Sequence, residues 1–286
     1  MSAIDQFESA FRSASRETYH FKRIPITRIL IVCDLNGDDA TTFAESIKPF
    51  LAHLGLHNTL DWQILNGDQF NSAEDLLERV QNIQPDMICT YRNLHTRAWQ
   101  FPHSLGVHLD ILLQRTPVPV MVVPHPEANL KADHALNDIS SVMAMTSHIN
   151  RDHRLIDYAA SMTQDNGTLY LAHIEDKNTF ERYMEAISKI SAIPTDQARE
   201  LLSKQLLKDP LEYIGSCKKG LTDAEVNLTL KPIVSFGKHL SEFKQHIESH
   251  TLCLLIMNAK DEEQMAMHGL AYSLAIEFRH IPLLIL

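Results

Sequence analysis

Two stretches, "GVHLDILLQRTPVPVMVV" (106–123) and "GLAYSLAIEFRHIPLLIL" (269–286), close the two halves of this chain on one pattern. Each opens on Gly, runs at helical period, and sets Pro just before a final aliphatic run. A match of this kind marks an internal duplication. Ahead of each ending, continuous apolar runs alternate with helical stretches. "RILIVCD" (28–34), "LDWQIL" (60–65), "DMICTY" (86–91) and "VPVMVVP" (118–124) read as strands of the first half. "SVMAMT" (141–146), "TLYLAHI" (168–174), "NLTLKPIVSF" (227–236), "LCLLIM" (252–257) and "IPLLIL" (281–286) read as strands of the second. Strands that are apolar throughout are buried on both faces, as in parallel sheets. Helices between them then supply the right-handed crossovers. The expected class is α/β, built twice.

Between the strands, apolar Phe43, Ile47, Phe50, Leu51 and Leu54 recur at helical spacing. Asp38 and Asp39 are the expected N-cap residues of a helix starting near Thr41, with Gly55 stopping it. Leu76, Leu77, Val80 and Ile83 mark the next helix. Ile4, Phe7 and Phe11 predict a short helix over 3–15, docked on the body. Residues 177–226 are polar-helical, with Phe180, Tyr183 and Ile187 at helical spacing, and read as amphipathic helices covering the sheet or a partner subunit. The expected division is an N-terminal helix and lead-in over 1–27, a first domain over 28–124, a linker over 125–139, and a second domain over 140–286 with a helical insert at 177–226. The first domain passes from helix 41–54 almost directly to strand 60–65, so it lacks one strand–helix unit that the second keeps.

With 286 residues there is room for two domains, and 44% apolar with 22% charged residues suits a globular core. A net charge of −10 leaves no basic field for nucleic acid or anionic lipid. The opening "MSAIDQFESAF" has no basic and apolar leader regions, so no secretory signal is expected, and the apolar runs are too short to cross a bilayer. Cys33, Cys89, Cys217 and Cys253 form no C-x-x-C pair. They read as reduced thiols of a cytoplasmic protein.

From residue 28 onward the chain resembles a tandem universal stress protein. The resemblance rests on "ILIVCD", "NGDQFNSAEDLLERVQNIQPDMIC" and "SLGVHLDILLQRTPVPVMVVP", and on their second-half counterparts. It implies an adenine nucleotide alpha hydrolase-like fold whose domains carry parallel strands in the order 3-2-1-4-5. It also implies an Asp ending strand 1 and, in ATP-binding members, G-x2-G-x9-G-[ST] after strand 4. Asp34 matches the carboxylate and Gly106 the last glycine, while the earlier glycine positions fall on Asn93 and Thr96, and Val107 replaces the hydroxyl. In the second half Gly269 matches the last glycine, the earlier ones fall near Ile256 and Ala259, Leu270 replaces the hydroxyl, and Thr146 stands for the Asp. A cradle glycine supplies positive φ and a bare backbone for phosphate, so these replacements speak against the standard triphosphate pose.

The loop after strand 86–91 holds Arg92, Asn93, His95, Arg97 and His103, followed by Ser104 and Gly106. It reads either as a side-chain anion site, with Asp34 opposite for a ribose hydroxyl, or as a solvated or domain-interface loop with Ser104 as N-cap and Trp99 buried at the interface. Weaker candidates in the second half are Thr146, Asn258, Lys260 and Gly269, with "TSHINRDHR" (146–154) offering His148, Arg151, His153 and Arg154. The acidic Asp261–Glu263 run fits a helix start. No spacing indicates a metal site, and no nucleophile–base or P-loop motif occurs. The leading expectation is a non-catalytic stress-response or regulatory protein acting through a partner or small ligand. The alternatives are an ATP- or AMP-binding member with slow or no hydrolysis, binding in the first half, and a purely structural interaction module. The two terminal runs, 118–123 and 281–286, are expected to pair the domains, and a homodimer is plausible on the resemblance.

Overall fold

The computed structural model describes residues 19–56, 59–101, 103–128, 136, 138–146, 149, 152–259 and 269–286. The helix expected over 3–15 and much of the 125–139 linker lie outside the described residues. The apolar runs form strands β1 (Arg28–Val32), β2 (Asp61–Leu65), β3 (Met87–Thr90), β4 (Val120–Val122), β5 (Ser141–Thr146), β6 (Thr168–Asp176), β7 (Thr229–Gly237), β8 (Leu254–Met257) and β9 (Leu283–Ile285). They make one nine-stranded sheet in the order β2-β1-β3-β4-β9-β8-β5-β6-β7. All neighbours are parallel except β4 and β9, which run antiparallel with Met121 opposite Leu284. Counted within the second half, the order is 3-2-1-4-5, and the first half repeats it without the third strand. β7 is an edge strand, which is why it tolerates Pro232 and its missing N–H.

Helices α1 (Gly37–Ile47), α2 (Ala73–Ile83), α3 (Val107–Arg115), α4 (His153–Met162), α5 (Lys177–Ser188), α6 (Thr195–Asp223), α7 (His239–Ser249) and α8 (Gly269–Glu277) link the strands. Three boundaries correct the sequence reading. The first helix begins at Gly37 behind an Asn36 cap, so Asp38 and Asp39 lie in its first turn, where the helix dipole favours them. It ends at Ile47, before Pro49, although Phe50, Leu51 and Leu54 remain buried in the turn beyond. The third helix starts behind Gly106, and Ser104 is not its cap. The insert is two helices: α5 buries Phe180 and Met184, and α6 buries its C-terminal half, from Pro210 to Leu221, against β6 and β7.

Residues 19–28 strap the first half to the second. The Tyr19 hydroxyl donates to Asp157 Oδ1 at 2.6 Å, the Lys22 N–H to the same oxygen at 3.1 Å, and the Ile24 N–H to Ser161 Oγ at 3.1 Å, all on α4. The strap then reaches the sheet, where the N–H groups of Thr27 and Arg28 donate to Asp86 Oδ2 at 2.7 and 2.8 Å. Burial raises the Asp157 pKa, and the Tyr19 bond works against that by favouring the carboxylate. Tyr19→Phe removes a hydrogen bond to a buried charged group, so a loss of about 1.5–3 kcal/mol is expected in urea unfolding. A change below experimental error would show that the strap is not held by this bond.

Candidate functional site

In an open α/β sheet, ligands sit beyond the C-terminal strand ends where the strand order reverses. The order reverses twice, at β5 between β6 and β8, and in the first half at β1, flanked by β2 on one side and β3 on the other. Asp34 follows β1, and the 91–106 loop follows β3. Both oxygens of Asp34 are engaged by that loop: the Tyr91 hydroxyl donates to Oδ1, and the His95 N–H donates to Oδ2 at 2.6 Å. The Asp34 N–H in turn donates to the Tyr91 oxygen at 3.1 Å. Burial and the Asp34 bond raise the Tyr91 pKa, keeping its hydroxyl a donor.

The loop makes two left-handed turns, at Asn93 (φ 62°) and His95 (φ 60°). Asn and His are among the side-chain residues that enter this region most readily. Thr96, matched to a motif glycine by sequence, is instead the extended N-cap of the short turn Arg97–Gln100. Asn93 is buried, its N–H donating to the Leu105 carbonyl at 2.8 Å and its amide exchanging two bonds with Ser104. The Thr96 N–H donates to the Asn93 carbonyl at 3.1 Å. The amides of 93, 95 and 96, which a phosphate cradle would offer outward, are thus donated within the protein. Gly106 adopts φ 90°, and a Cβ there would lie 2.7 Å from Asn93 Cα. Its bareness accommodates protein backbone.

Beside this loop the rings of Phe70, His95 and His108 pack edge-on, with His95 and His108 5.3 Å apart. Burial, then His95, lowers the His108 pKa, and its Nε2 is buried with no hydrogen-bond partner among the described residues. Arg97 is exposed. Arg92 turns the other way: it is 4% exposed, and donates from Nε and Nη2 to the carbonyls of Ala275 (2.8 Å) and Phe278 (3.2 Å) at the end of α8. Trp99, expected to be buried, is half-buried and stacks on His125.

In the second half Thr146 ends β5, half-buried. Asn258 donates to Asp152 Oδ2 at 2.6 Å, and Asp152 caps α4 through the Leu155 N–H. Gly269 opens α8, and among the described residues nothing lies within 4 Å of where its Cβ would be. Lys260, His148 and Arg151 lie outside the described residues. Sequence reasoning passed over Tyr91, Gly67 and His125. A Cβ on Gly67 would fall 2.6 Å from the Asp34 carbonyl oxygen, so that glycine is needed for close approach. The hydroxyl ending "DMICTY", set on a strand beside β1, was the available signal for Tyr91. Among the described residues no cluster of His, Cys, Asp or Glu could hold a metal ion, and no helix is long and apolar enough to cross a membrane.

No family model matches the sequence, and no curated protein matches it. A solved structure from Pseudomonas aeruginosa UCBPP-PA14, assigned to the universal stress proteins, aligns over 91% of this chain and 93% of its own at 10% identity, with a TM-score of 0.50. This chain has the universal stress protein fold. A protein of unknown function from Pseudomonas aeruginosa PAO1 aligns over 91% and 92% at 10% identity and TM-score 0.49. A universal stress protein from Archaeoglobus fulgidus DSM 4304 aligns over 91% and 85% at 13% identity and TM-score 0.45. In the first half Gly106 packs against Asn93, and Asp34 accepts from Tyr91 and His95.

Proposed function

We propose that the chain is a non-catalytic stress-response or regulatory protein of universal stress type, built as tandem domains over 28–124 and 140–286, which has given up the standard ATP seat and acts through a partner or small ligand. The observation that carries this reading is the fate of the loop amides: those of residues 93, 95 and 96 are donated to Leu105, Asp34 and Asn93. A triphosphate at this loop would have to break these bonds before gaining its own. Action through a partner is supported by apolar side chains left exposed on the insert, Tyr183 and Leu201 foremost. A cytoplasmic setting is supported by four free thiols, three of them pushed up by burial, Cys33 to about 11, Cys217 to about 12, and Cys89 as well.

Calorimetric titration with ATP and with AMP, each with and without magnesium, tests the reading. No saturable heat is expected up to millimolar nucleotide. Micromolar binding that disappears in Asp34→Ala would overturn it and restore the nucleotide-binding alternative.

A further inference from the structure

A cavity of about 370 Å³ opens where the two halves meet, next to the Asp34 crevice: His125 in its wall packs edge-on against Tyr91, whose hydroxyl donates to Asp34. Its wall joins Arg92 and Trp99 of the first half, and His125 just beyond it, to Glu277, Arg279 and His280 at the end of α8. The two guanidiniums are held by backbone: Arg92 by the carbonyls of Ala275 and Phe278, and Arg279 by its Nη1 bond to the Trp99 carbonyl at 3.1 Å. Neither has an ion-pair partner among the described residues. Glu277, the carboxylate on the same wall, pairs with Lys244 instead. His125 stacks on Trp99 with ring centroids 4.3 Å apart and accepts the Glu127 N–H at Nδ1, and burial keeps its pKa low. It therefore adds a flat wall and no charge at neutral pH.

Two neighbouring positive charges, one of them buried, are unfavourable unless a counter-charge meets them. Burial and the like charge of Arg279 lower Arg92 to about 9, which leaves it charged at neutral pH. The volume lies at the lower end of the range for small-molecule sites, larger than a bare inorganic ion needs. We infer that this junction cavity binds a small organic anion, a phosphate or carboxylate group meeting Arg279 and Arg92 and its body lying against the Trp99–His125 stack. Guanidinium forks suit both groups, through paired charge-assisted hydrogen bonds. The inference supplies the ligand side of the regulatory reading and rests on it for purpose, though not for geometry.

Trp62 and Trp99 are the only tryptophans in the sequence, so Trp62→Phe leaves Trp99 as a reporter in the cavity wall. In that background, inorganic phosphate and citrate are titrated at constant ionic strength. A saturable change in Trp99 emission is expected with one of them, and which one separates a phosphate ligand from a carboxylate ligand. Arg279→Gln should weaken it about tenfold or more. Arg279→Lys, which keeps the charge and loses the fork, should fall between, and thermal melts confirm that each variant is folded. No saturable response to either anion overturns the inference, as does a response of equal affinity in Arg279→Gln. ATP heat that survives Arg279→Gln belongs to the Asp34 crevice, so failure of the closed-crevice reading is seen separately from failure of this site.

Discussion

Gly106→Ala is expected to destabilise the protein by about 3–5 kcal/mol, read as a lower urea midpoint. Two effects add. At φ 90° and ψ 150° the residue occupies a region that is essentially glycine's alone. The new methyl would also lie 2.7 Å from Asn93 Cα and 2.9 Å from Asn93 N, against backbone that cannot rotate away. The matched glycine of the second half gives the control. Among the described residues nothing lies within 4 Å of where a Cβ on Gly269 would go, so Gly269→Ala should change stability by no more than about 0.5 kcal/mol. Equal tolerance at both positions would refute the account of the first loop, because only there does protein backbone fill the space beside the glycine.

That contrast shows how far sequence carries a reading of this kind. The strands were legible because β4, β8 and β9 are apolar along their whole length, and β1 and β3 depart from that only at one end, at Arg28 and Thr90, a pattern that double-sided burial explains. The strand order followed from the resemblance together with the missing unit of the first half. Helix starts were less legible: Asn36, Asp38 and Asp39 all suit a cap, and Ser104 suits one as well as Gly106 does. The site was legible as a place and not as an arrangement. Asp34 and the 92–106 loop do meet, but the role of His95 rests on its backbone N–H, which no residue type announces. Arg92 reads as a basic loop residue, yet its partners Ala275 and Phe278 lie some 180 residues further on. Side-chain direction at such a position is decided by long-range packing. A duplicated pattern conceals that packing, because each half was read as though it stood alone.

The seam between the halves should prove the most sensitive place in the molecule. Leu284→Asp is expected to prevent folding, seen as loss of near-ultraviolet circular dichroism and of a compact elution profile. Leu284 and its partner Met121 are fully buried, and both their strands are only three residues long. The substitution forfeits about 2–3 kcal/mol of apolar burial and places an unpaired carboxylate where desolvation costs several more. That sum approaches the roughly 5–15 kcal/mol that holds an ordinary domain together. Separating β4 from β9 would also leave each half with an apolar, unprotected sheet edge, which favours aggregation over independent folding. The milder Leu284→Ala should cost about 2–5 kcal/mol and keep a single transition. In a Trp99→Phe background tryptophan emission reports the first half alone, through Trp62 on β2, whereas far-ultraviolet circular dichroism reports both halves. Coincident midpoints are expected because the Tyr19–Asp157 strap and the Arg92 bonds to α8 bind the halves alongside the seam. If the tryptophan signal in Leu284→Ala melted apart from the backbone signal, the halves would be separate folding units, and the continuous sheet would be a contact between them instead of a shared core.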